Sequence, residues 1–123
     1  MSNVGHVSDF IRAAFPSVWS LELLLLVRSQ PDVAWKPGEL VTQLRASEHV
    51  VDGSLRALVA GGLLTNEADG GVRYAPATRD IAALVDETAE LYARRPDAVR
   101  RAIVFGASSA VQAFADAFKL RGD

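Results

Sequence analysis

The side chains that most often do chemistry are scarce in this chain. Its 123 residues include no cysteine and only two histidines, His6 and His49, which lie far apart. Without cysteine there is no thiolate nucleophile, no thiolate metal site and no disulfide framework. Two remote histidines do not make a paired set of imidazole ligands, so neither a metal nor a cofactor is expected. No Gly-x-Ser-x-Gly elbow and no Walker-type phosphate loop occurs either. The chain is not expected to be an enzyme.

Charge is the remaining resource. Thirteen Lys and Arg stand against fifteen Asp and Glu, a net charge of −2, so no overall polybasic character announces nucleic acid or an anionic membrane. One local concentration stands out. Arg94, Arg95, Arg100 and Arg101 bracket Pro96, with Asp97 the only acid among them. Four guanidinium groups at one corner between helices can hold an acidic protein surface or phosphates. The same residues also read as a helix end and a solvated face, paired to Glu87, Glu90 or Asp97.

These groups must be positioned by something, and the chain has the composition to fold. Half of it is hydrophobic and 23% is charged, a globular balance with room for one domain over residues 1–123. Val7, Phe10, Ile11 and Ala14 recur at helical spacing before Pro16. Ser17 then caps a helix from Val18 to Arg28, with Leu21, Leu24 and Leu25 on one stripe. Trp19, Leu23 and Leu26 make that helix apolar on more than one face, which places it centrally. Trp19, Leu24, Leu25, Leu55 and Leu58 are expected to share one core. After Gln30-Pro31-Asp32, the piece Val33-Ala34-Trp35 is long enough only for a bridging strand.

Pro37 suits a first helical turn, and Glu39 sits near the positive end of the helix dipole. Leu40, Val41 and Leu44 mark the apolar side of this helix, which Ala46-Ser47 breaks. Ser47 caps the next one, running to about Ala60 with Val51, Leu55, Leu58 and Val59 inward. Gly61-Gly62 ends it. Leu63 to Glu67 reads as a strand, Asp69-Gly70-Gly71 as a tight turn and Val72 to Ala75 as the return strand. Thr78 caps a helix with Ile81, Leu84, Val85, Leu91 and Tyr92 inward, stopping near Arg95 before Pro96. From Asp97 to Leu120, Val99, Ile103, Ala107, Ala110, Phe114 and Phe118 fall on one helical stripe, as one helix or two. No segment reaches the roughly 20 apolar residues of a membrane span, and no secretory leader is evident, so a cytoplasmic location is expected.

Helix, short strand, helix, three-residue turn, helix and hairpin form the order of a winged helix-turn-helix, mainly α with a small β-hairpin and accessory helices at both ends. The segment Glu39-Leu-Val-x-x-Leu-Arg-Ala-Ser, ending at Ser47, and the run Leu55-x-x-Leu-Val-x-x-Gly-Leu-Leu carry the likeness. This stretch resembles the winged-helix transcriptional regulators of the MarR, ArsR and PadR kind, over about half of the chain. The resemblance implies a winged-helix core at 17–76, a recognition helix at about 47–60, a wing at about 63–75 and dimerisation helices at 78–120. The implied function is a homodimeric regulator of transcription that binds double-stranded DNA. Arg56 would then read a guanine edge, Ser47 or His49 would touch a phosphate or base, and Arg73 would reach the backbone from the wing, with Arg45 at the turn.

A wheel at 100° per residue puts His49, Asp52, Gly53, Arg56 and Ala60 outward, with Glu48 at the edge. Gly53 inside a helix costs about 1 kcal/mol against Ala, which is compatible with close approach of a partner. Between Leu44 and Ala75 three cations (Arg45, Arg56, Arg73) face four carboxylates (Glu48, Asp52, Glu67, Asp69), a local charge of −1. Duplex affinity comes largely from Lys and Arg neutralising phosphates. The alternative is therefore a winged-helix module that binds a protein partner through those carboxylates. Two further matches are set aside as chance. Gly106-Ala-Ser-Ser109 lacks the parallel sheet that a dinucleotide-binding turn needs, and Arg121-Gly-Asp123 spells an integrin tripeptide.

Overall fold

The computed structural model describes residues 4–104, with side chains from residue 7. Its elements run α1 (Val4–Ala14), α2 (Val18–Ser29), α3 (Pro37–Leu44), α4 (Glu48–Ala60), β1 (Leu64–Asn66), β2 (Val72–Tyr74) and α5 (Arg79–Arg94). A further helix, α6, begins at residue 96 and is described to residue 104. The fold is mainly helical, with one two-stranded antiparallel sheet. The stripe from Ala107 to Phe118, the Gly106–Ala110 run and the question of one helix or two all lie outside the described residues.

The helix starts follow from the capping residues. Ser17 and Ser20 form a reciprocal box at α2: the Ser20 amide donates to Ser17 Oγ at 3.2 Å and the Ser17 amide to Ser20 Oγ at 3.3 Å. At α3, Pro37 takes the first position and the Glu39 carboxylate accepts from the Lys36 amide at 2.7 Å. Ser47 Oγ accepts from Val50 at 3.1 Å, and Thr78 Oγ1 accepts from Ile81 at 3.1 Å. Each satisfies a backbone donor that the helix itself leaves unpaired. Pro96 ends α5 and opens α6 directly, where its fixed φ and missing N–H suit a first turn.

Packing is organised around α2, which contacts α3, α4 and strand β2, while α1 lies against α5. Leu21, Leu23, Leu24 and Val27 of α2 are buried with Leu40 of α3, with Val51, Leu55 and Leu58 of α4, and with Val72 of β2. Val7, Ile11 and Phe15 close the core from the α1 side, joined by Val85, Val99 and Ile103. Register in the hairpin pairs Leu64 with Tyr74, Thr65 with Arg73 and Asn66 with Val72. Trp35 adds the expected bridge to Val72, with two 2.8 Å backbone hydrogen bonds.

One core assignment is corrected. Trp19 is 43% exposed and does not share the core with Leu24, Leu55 and Leu58. It sits in the first turn of α2, where the next layer is the C-terminal end of α5, and there it walls a cleft. Among the described residues no single helix is long and apolar enough to cross a membrane. Val7–Ala14 and Val18–Ser29 reach that length only together, bent by 103°.

Leu55, 7% exposed, and Trp19 make a test of this layering. Leu55→Ala should lower the free energy of unfolding by about 2–5 kcal/mol, read from urea denaturation. Trp19→Ala should lower it by clearly less. Equal losses would mean that Trp19 is a core residue after all.

Candidate functional site

α4 buries one side and exposes the other. Val51, Ser54, Leu55 and Leu58 face the core, and Glu48, His49, Asp52, Gly53, Arg56 and Ala60 all face solvent, as the wheel requires. Ser47 is engaged as the cap, so its hydroxyl already holds the Val50 amide. Arg45 closes α3 in the left-handed region, at φ 56°, with its amide donating to the Val41 carbonyl. Such a backbone costs a non-glycine residue about 1–2 kcal/mol. It sets the three-residue turn that aims α4, and the Arg45 side chain remains exposed.

Two grooves flank α4. One, about 480 Å³, lies against the start of α3 and is lined by Pro37, Val41, Glu48, His49 and Asp52. The other, about 330 Å³, separates α4 from the hairpin and is lined by Leu55, Arg56, Val59, Asn66 and Val72. Pro37 and Asp52 border both, so hairpin, α4 and the start of α3 form one surface. A Cβ on Gly53 would meet nothing within 4 Å, so packing within the chain does not require glycine there.

Most cations on this surface are already paired. Arg56 Nη2 lies 3.6 Å from Asp52, one helical turn away. Arg73 pairs with Glu67 across the hairpin. Lys36, which the sequence reading did not single out, reaches the hairpin tip: its Nζ donates to the Asp69 carbonyl at 2.7 Å and lies 3.5 Å from the carboxylate. Nothing local in the sequence signals that contact, which spans 33 positions. The Asp69 carboxylate also accepts from the Gly71 amide at 3.0 Å. That hydrogen bond, and then the Lys36 ammonium, hold its pKa below the ordinary carboxylate value. With Lys36 and Glu39 included, four cations face five carboxylates.

The arginine cluster at the α5–α6 corner is not a single patch of equivalent groups. All four are exposed, and Arg100 alone also leans back, 3.4 Å from Asp97 and 5.5 Å from the centroid of the Tyr92 ring. Among the described residues no group of three or more His, Asp or Glu is placed to hold a metal ion.

Two outcomes are expected at this surface. Gly53→Ala should raise stability by about 0.5–1 kcal/mol, because the added methyl enters open space in a helix interior; a loss on chemical denaturation would contradict the open face. The depressed Asp69 pKa means its ionised form stabilises the fold above the ordinary carboxylate pKa, and that contribution disappears as pH falls through the folded value. Asp69→Asn should therefore lower the melting temperature near neutrality, and the gap to the parent should close in acid. A gap that widens in acid would have the wrong sign.

Comparison of the chain with family models, with curated proteins and with solved structures finds no match in any of the three.

Proposed function

We propose that the chain is a winged-helix regulator that binds duplex DNA, with α4 as recognition helix and the β1–β2 hairpin as wing. The observation that carries this is the outward face of α4, open along its length and flanked on one side by the hairpin. Thirteen residues at 1.5 Å each give a rod of about 20 Å, of a width that a major groove accepts. Arg45 and Arg56 lie on that side, with Lys36 and Arg73 at the hairpin. Exposed ion pairs of the Arg56–Asp52 type contribute only about 0–1 kcal/mol, so these cations exchange a carboxylate for a phosphate at little cost. In this reading the protein works in the cytoplasm by binding, not by catalysis. It acts as a homodimer. The dimer contact is assigned to the N-terminal segment and the C-terminal helices, among which Val104 of α6 is 58% exposed.

A second reading is favoured by a specific observation, the excess of carboxylates over cations around grooves with apolar floors. Under it the same face binds a protein, and Glu48, Asp52, Glu67 and Asp69 make the contacts.

A DNA titration at two salt concentrations separates the two. With at most four cations available on each protomer, the slope of log K against log salt should be no steeper than about −3.6 per protomer in contact with the DNA. Arg56→Glu and Arg73→Glu should each weaken binding by about 1–3 kcal/mol. Neutralising Glu48, Asp52, Glu67 and Asp69 together should strengthen non-specific binding. A folded parent protein that ignores DNA at low salt, with a neutralised variant that ignores it too, would overturn the regulator reading.

A further inference from the structure

The opposite end of the helical layer holds a second feature. Trp19 is 43% exposed although α2 is otherwise the best-buried helix, and it walls a cleft of about 510 Å³. Gln43 and Leu44, the last residues of α3, form the facing wall, and Glu22, Tyr92 and Arg100 complete the lining. The Tyr92 hydroxyl donates to Oε2 of Glu22, and the Arg100 guanidinium stands over the Tyr92 ring. Tyr92 thus sits between a carboxylate and a guanidinium that make no direct ion pair with each other among the described residues. Besides the Tyr92 ring, Arg100 has a 3.4 Å contact with Asp97, and it keeps 51% of its side chain exposed.

The cleft therefore presents one negative group, one positive group and an aromatic face, all within the same walls. A simple anion would meet Arg100 but also Glu22; a simple cation would meet Glu22 but also Arg100. A ligand carrying an ammonium and a carboxylate on one carbon matches both. Charge-assisted hydrogen bonds to such groups are the strong kind, and the indole face suits an apolar or aromatic substituent. A mostly apolar concavity with a few convergent polar groups is the usual form of a small-molecule site.

We propose that this cleft binds a free α-amino acid with an apolar or aromatic side chain: its ammonium on Glu22, its carboxylate on Arg100, its side chain against Trp19 and Leu44. The inference is independent of what α4 binds.

The chain contains two tryptophans, so Trp35→Phe leaves Trp19 as the reporter. Fluorescence titration of this full-length variant with L-phenylalanine and L-leucine should give a saturable change. 3-Phenylpropionate, which lacks the amine, and phenethylamine, which lacks the acid, should bind weaker by about tenfold or more. Glu22→Gln and Arg100→Gln should each weaken L-phenylalanine by a similar factor, with thermal melts confirming that both fold. Calorimetry on the unaltered chain should give the same ranking and guards against a misfolded Trp35→Phe. Absence of saturable binding of either amino acid to the unaltered chain overturns the proposal. Equal affinity for 3-phenylpropionate or phenethylamine overturns it as well, because the site would then read a single charge.

Discussion

Everything else in the molecule depends on the packing of α2 against α4. Leu21, Leu24 and Val27 on one helix and Leu58 on the other are excluded from water completely. Each such side chain contributes about 1.5–3 kcal/mol relative to exposure. The same α2 supports β2, and its last turn reaches α5 through Arg28, whose guanidinium lies 2.9 Å from Asp86. Because α4 has a single apolar stripe, docking that stripe on α2 fixes its rotation about its own axis. The outward row from Glu48 to Ala60 is a consequence of where Leu55 and Leu58 must go.

That outward row carries a conflict between local structure and phosphate binding. The hairpin tip is held by Asp69, which accepts from Gly71 and faces Lys36, while Arg73 is matched to Glu67. Gly70 has φ 90°, so the turn also needs a residue without a Cβ. The carboxylates that order the tip are therefore the same ones that a phosphate backbone would repel. Removing their charge favours an anionic partner and loosens the element that would meet it. A hairpin of three-residue strands has little other support. This coupling sets a ceiling on how tightly the surface can hold a polyanion.

Much of this fold was legible because its punctuation is local. Ser17, Ser47 and Thr78 mark helix starts through hydrogen bonds to residues three positions on, Pro37 marks one through its fixed φ, and the exposed face of α4 follows from a clear 3.6-residue period. Trp19 was misplaced for the opposite reason. A helix apolar almost all round has no stripe by which to phase it, so periodicity cannot say which apolar residue is left out. Lys36 on Asp69 and Tyr92 on Glu22 span 33 and 70 positions. No pattern in the intervening sequence encodes such contacts; they exist only once the core has brought the elements together. Which residues line the Trp19 cleft was illegible on both counts.

The two surfaces meet in one short element. α3 has eight residues, about 12 Å of rod, and Leu40 is its only fully buried side chain. Its first residue, Pro37, borders both grooves beside α4, and Lys36 just before it holds the hairpin tip. Its last two residues, Gln43 and Leu44, wall the Trp19 cleft, and the next, Arg45, makes the left-handed turn into α4. A rod of two turns does not bend between its ends, so displacing Leu44 from the cleft side displaces Pro37 and Lys36 as well. α3 is held by Leu40, with Val41 and Leu44 partly buried against the same core. The geometry of the α4 surface is in this sense set from both ends of α3, and the end that turns into α4 lies beside the exposed indole of Trp19.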